Sequence, residues 1–168
     1  MIDFTTYVKF FKNLSEQHVD VAPTGTKKTF FRLNLEEITG SMRTSIDADK
    51  YVMVLESYEH TSKDLHSDNH LREYTGAFMI IKRAAIDGYD AQDIAINKCE
   101  EIAIEISKRI YANSIDYTNR IFTNIELNDF TFQKVGPLYN NWFGFRCQFN
   151  FSDTYAIEVD NSKWSDLP

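Results

Sequence analysis

From Phe143 to Phe151 every second residue is an aromatic ring or a thiol. Phe143, Phe145, Cys147, Phe149 and Phe151 alternate with Gly144, Arg146, Gln148 and Asn150. A strict period of two marks a strand with one face in a core and the other toward water. The stretch Trp142–Phe151 therefore predicts a sheet, and a row of rings on one face of a sheet needs a second layer to cover it. The chain carries a suitable one. Ile94, Ala95, Cys99, Ile102, Ala103, Ile106 and Ile110 recur at helical steps between Asp90 and Tyr111, with Lys98, Glu101, Glu105 and Lys108 off that stripe. Asp90 reads as its N-cap after the turn Asp87–Asp90, and Lys108 and Arg109 suit the negative end of its dipole.

Two further runs, Tyr51–Leu55 and Ala77–Ile81, have no polar alternation and read as central strands covered on both faces. The polar segment 57–73 between them predicts a protruding hairpin loop, which carries His60, Asp64, His66, Asp68 and His70. Phe4, Tyr7, Val8, Phe11 and Leu14 predict a helix over residues 3–17, capped by Asp3 or Thr5. A polar connection follows to residue 29, then a strand over Thr29–Leu33. Leu35, Ile38, Met42 and Ile46 read as a short second helix despite Gly40. Arg120–Leu127 and Phe130–Val135 read as strands, and Gly136-Pro137 as the start of a connection through Asn141. The expected fold class is α+β: a mainly antiparallel sheet, one long amphipathic helix packed on it, and helices at the N-terminus. One domain is expected over residues 1–152, with an acidic tail or docking arm over 153–168.

Composition narrows the function. The 168 residues hold 25 acids against 18 bases, a formal net charge of -7, the opposite of the balance a general nucleic-acid binder needs. Thirteen Phe and nine Tyr predict an aromatic core. Cys99 and Cys147 lie on the two apolar stripes and make no metal motif, so they are expected to be reduced core thiols of an intracellular product. The apolar runs are too short to span a membrane. Met1-Ile2-Asp3-Phe4 has no basic stretch and is expected to be a mature start.

No catalytic residue, cofactor or metal is assigned. Ala22–Thr29 imitates a phosphate-binding loop, but Ala22 and Lys27 stand where that loop needs glycine, and strand-like residues follow. The loop histidines with Asp64 and Asp68 have the chemistry of a transition-metal site, yet their spacing matches no known signature, so solvated side chains are expected. Ser57 and His60 lack a nucleophile elbow. Lys27, Lys28 and Arg32, with Arg43 beyond, form the notable basic cluster, either a solvated stretch or a contact for DNA or an acidic neighbour. The wet face of Trp142–Phe151 and the tail with Tyr155 and Trp164 read equally as an interface or as ordinary surface.

Phe4–Leu14, Tyr51–Leu55, Ala77–Ile81, Asp90–Tyr111 and Trp142–Phe151, in that order, resemble the tail-terminator and neck (head–tail connector) proteins of tailed bacteriophages. The resemblance covers roughly residues 3–152 and lies in element order and size. It implies a non-enzymatic virion protein, assembled in the host cytoplasm into a sixfold or twelvefold ring. Its partners would be copies of itself and portal, neck or tail proteins, with DNA passing through and only weakly held. Ring closure needs two different patches per subunit. Trp142, Arg146, Gln148, Tyr155 and Trp164 are the candidates for one. Helix 3–17 with Lys27, Lys28 and Arg32 is the candidate for the other. The rival expectation is a small cytoplasmic ligand- or metal-binding α+β domain, or an enzyme, with the histidine-bearing loop as its site.

Overall fold

Asp3 starts the first helix by turning its carboxylate back on the chain. In the computed structural model, which describes residues 2–33, 45–64, 70–138, 141–155 and 158–166, Asp3 Oδ1 accepts from the Thr6 N–H at 2.9 Å and Oδ2 from the Thr6 hydroxyl at 2.7 Å. These bonds favour the charged carboxylate and hold its pKa below the usual range. The helix α1 spans Phe4–Gln17 and buries Tyr7, Phe11, Leu14 and Ser15. The strands are β1 (Phe30–Arg32), β2 (Val52–Leu55), β3 (Glu59–Asp64), β4 (His70–Arg83), β5 (Phe130–Leu138) and β6 (Trp142–Tyr155), with α2 (Tyr89–Ile115) between β4 and β5. The sheet order is β1-β2-β4-β6-β5, and β3 pairs with β4 off that path. Among the described strands β1 and β2 run parallel and the other pairs are antiparallel. The expected α+β class and its mostly antiparallel sheet are therefore observed.

The two faces of the sheet differ. One packs α1 and α2 around Met53, Leu55, Tyr74, Phe78, Ile80, Cys147, Phe149 and Phe151. Phe122 enters this cluster from the segment after α2 and lies 5.0 Å from Phe10 and 5.1 Å from Phe151, ring centre to ring centre. The core is as aromatic as the composition suggests. Val52, Val54, Met79, Ile81, Phe31 and Trp142 form a second cluster on the opposite face. All four residues of β2 are buried, as expected of a strand covered on both sides.

Several boundaries differ from the sequence reading. The polar segment 57–73 is not a loop throughout: Glu59–Asp64 pairs residue by residue with His70–Thr75. Helix α2 begins after Gly88, so Asp90 sits in its first turn and not at its cap. It runs on to Ile115, which leaves Lys108 and Arg109 short of its last turn. Ile94 is 69 % exposed while Ile96 is 6 % exposed. Five residues before Cys99 is roughly 140° round a helix, whereas three residues is roughly 60°, so Ile96 lies nearer the buried stripe. Arg120–Leu127 is no strand. The Asn113 carboxamide oxygen accepts from the N–H groups of Ile121 at 2.8 Å and Phe122 at 3.3 Å, taking donors that a ladder would need. Gly136-Pro137 lies inside β5, at a register irregularity between Val135 and Leu138. β6 continues through Asp153 to Tyr155, beyond the expected start of the tail. The expected second helix at 35–46 falls almost wholly outside the described residues; Ile46 is described, and bridges to Lys28.

Cys99 and Cys147 are fully buried and unbridged, and burial pushes both thiols up to about 12. The folded chain therefore holds these protons more tightly than the unfolded one. Their contribution is complete below about pH 9 and is lost as pH rises toward about 12. Urea midpoints measured across that window should fall steeply, and the Cys99→Ala, Cys147→Ala chain should show a shallower fall. An equal slope in both would refute the assignment.

Candidate functional site

Burial along β4 divides it into two halves. From Ala77 to Ile81 every residue is buried, whereas His70–Glu73 are half-buried or exposed. β3 is exposed along all six residues, and Ser152–Tyr155 of β6 are half-buried or exposed. The sheet thus runs past its core as a three-stranded blade of β3, β4 and β6. On the helix side, Tyr74 and Phe151 stack with centres 4.7 Å apart, and the Arg72 guanidinium lies 4.6 Å over the Tyr155 ring.

The opposite side of the blade is polar and concave. Register places Glu59 against Thr75, Thr61 against Glu73, and Thr75 against Asn150. The segment after α2 forms the wall. Ser152 N–H donates to the Thr123 carbonyl at 3.2 Å, the Thr123 hydroxyl donates to the Ser152 carbonyl, and Asn124 Nδ2 reaches Ser152 Oγ at 3.3 Å. Glu126 and Asp129 cap one another across a 3-10 turn, Leu127–Asp129, which fixes both carboxylates. The result is an open groove of about 620 Å³ with Glu59, Glu73, Glu126 and Asp129 around it. Lys63 pairs with Glu73 at 2.9 Å at its rim.

A second groove, of about 420 Å³, lies between α1 and β1. It has Lys12 and Glu16 on the helix, 3.8 Å apart, and Lys27, Lys28 and Arg32 on the strand side. The basic run expected from sequence is thus gathered with a fourth cation, Lys12, into one concavity.

Other expected site residues are dispersed. Trp142 is 7 % exposed and packs in the second core cluster, so it is not an open-face contact; the end of the sheet next to it is covered. Arg146 holds Glu56 bidentately at 2.6 and 2.8 Å and donates to Gln148 Oε1 at 3.0 Å, so both are half-buried members of a network on the sheet. The Glu56 carboxylate raises the Arg146 pKa further. Tyr155 closes β6, and Trp164, 58 % exposed, follows the 3-10 turn Asn161–Lys163. His60 lies opposite Tyr74, and His70 lies opposite Asp64 with Nδ1 3.9 Å from its carboxylate. Four residues of strand separate these positions, roughly 13 Å, too far for one cation to join the two histidines. His66, Asp68 and Arg43 fall outside the described residues. Among the described residues no group of three or more His, Cys, Asp or Glu is placed to hold a metal ion. Gly25 takes the left-handed conformation in open space, and the segment leads into β1 and not into a phosphate-binding helix. No helix among the described residues is long and apolar enough to cross a membrane.

The acidic groove escaped the sequence reading. Its residues come from four places in the chain, and the polar run Glu59–Asp64 has no apolar alternation to signal a strand there. Compared with protein-family models, curated proteins and solved structures, the chain matches none.

Proposed function

We propose that this chain is a subunit of a head–tail connector ring of a tailed bacteriophage, of the neck or tail-terminator kind, and that it works by shape and lateral association. The observation that carries this reading is the blade. It extends the sheet beyond the helices, and its outer strand buries none of its six residues. Exposed strand edges invite pairing with other chains, and a lone domain usually shortens or covers them. A ring subunit uses such surface against its neighbours. The element order, from α1 through the long α2 to the β5–β6 hairpin, is that of the resemblance. A net charge of -7 suits a channel past which DNA slides without being gripped.

Within this reading the blade reaches toward the next subunit or ring, and the acidic tail holds a neighbour. The rival, a histidine-based metal or ligand site, has less support, because His60 and His70 stand apart along the hairpin. Native mass spectrometry and negative-stain imaging of the purified chain provide the test. Closed rings of a single order, unaffected by chelator, are expected. A monomer that takes up zinc or a nucleotide stoichiometrically would overturn the proposal.

A further inference from the structure

We infer that the acidic groove on the blade of one copy docks the basic groove between α1 and β1 of a second copy, head to tail. This rests on the reading above that copies associate laterally, and identifies the surfaces by which they do so. The argument begins with charge. Glu59, Glu73, Glu126 and Asp129 surround one groove with Lys63 at its rim, four negative charges against one positive. Among the described residues, Lys12, Lys27 and Lys28 surround the other with Glu16, and Arg32, which has an interaction of its own, also lines it. The described linings of the two grooves are opposite in charge, in a chain that is acidic as a whole.

Geometry prevents one molecule from satisfying itself. Alternation along paired strands sends Glu59, Glu73, Thr75 and Asn150 to one face of the sheet, opposite Tyr74, Phe78 and Phe149, which face the helices. The basic groove is built on α1 and so lies on the helix side. A sheet separates them. Two different, complementary patches on opposite faces form a heterologous contact, which repeats from copy to copy until it closes as a ring or runs on as a filament.

The blade groove is the larger, about 620 Å³ against about 420 Å³, and its walls are regular strand and a capped turn. Such surfaces are fixed before contact, which lowers the ordering cost of association. The side chains of Lys27 and Lys28 are exposed just ahead of β1, while the Lys28 backbone is paired with the Ser45–Asp47 segment.

Charge reversal in two separate chains gives the experiment. One carries Lys27→Glu and Lys28→Glu; the other carries Glu59→Lys and Glu73→Lys. Circular dichroism establishes that each folds, and sedimentation velocity measures association. Wild type should assemble, more tightly at low salt than at high salt. Each reversed chain alone should lose affinity by about tenfold or more. An equimolar mixture should regain assembly, because the reversed basic groove of one now meets the reversed acidic groove of the other. Wild-type assembly that neither reversal weakens, or that the mixture fails to restore, overturns this interface and leaves lateral association standing. A wild type that stays monomeric at low salt and high concentration overturns both.

Discussion

Phe122→Ala removes about 3–5 kcal/mol of folding stability, a drop in Tm of roughly 6–20 °C for a domain of this size. Phe122 is fully buried and stands where three elements meet. Its ring faces Phe10 at 5.0 Å, Phe11 at 6.3 Å and Tyr7 at 6.4 Å on α1, and Phe151 at 5.1 Å and Phe149 at 5.7 Å on β6. Most of these contacts are edge to face, the arrangement that adds attraction beyond the area buried. Truncation leaves a ring-sized void whose walls belong to a helix and a sheet. Neither can close it without moving as a unit, so little of the loss is recovered by relaxation. Phe4→Ala serves as the control, because Phe4 is on the same helix and 42 % exposed. Urea unfolding should show a large midpoint shift at unchanged slope for Phe122→Ala and a small one for Phe4→Ala. Similar shifts for the two would mean that the segment after α2 does not close the core.

That segment also shows where sequence reasoning stops. Periodicity located the elements whose burial is one-sided and repetitive, α1, α2 and β6, and unbroken apolar runs located β2 and the buried stretch of β4. It misread Arg120–Leu127 because Ile121, Phe122 and Ile125 look like strand residues in isolation. What determines their conformation is a tertiary event, the capture of backbone donors by the Asn113 side chain. β3 was missed for the converse reason. Its residues carry no apolar alternation, and it is strand because it pairs with β4 and not because it is buried.

The functional surfaces divide in the same way. Lys27, Lys28 and Arg32 were visible because they are near neighbours in the chain, although Lys12 joins them only through the packing of α1 against β1. Glu59, Glu73, Glu126 and Asp129 have no common local pattern. Register brings the first two together, and the capped turn after α2 brings the others. Trp142 was misplaced because alternation tells which face a residue takes and not whether that face is covered. The second core cluster, with Phe31 and Val52 across the sheet, covers it.

Gly144→Ala should be at least as damaging as the loss of Phe122, at about 3 kcal/mol or more, the top of the overpacking range. Gly144 sits in β6 between Ile81 of β4 and Val135 of β5. A Cβ added there would overlap the Ile80 carbonyl oxygen and stand 2.9 Å from both the Ile80 carbonyl carbon and the Ile81 Cα. These are backbone atoms of a buried central strand and cannot rotate away. β4 and β6 would have to part at the point where fourteen consecutive pairs join them, which strains the ladder that also carries the blade. Gly76 is the informative comparison. A Cβ there would come within 2.8 Å of Phe149 Cζ and 2.9 Å of the Tyr7 hydroxyl, both atoms of buried side-chain rings and not of backbone. Gly76→Ala should therefore cost less than Gly144→Ala in urea unfolding. Hydrogen exchange in Gly144→Ala should accelerate along both Ile80–Arg83 and Trp142–Phe145. Slow exchange there, with stability near wild type, would show that the two strands do not approach as closely as the Gly144 geometry requires.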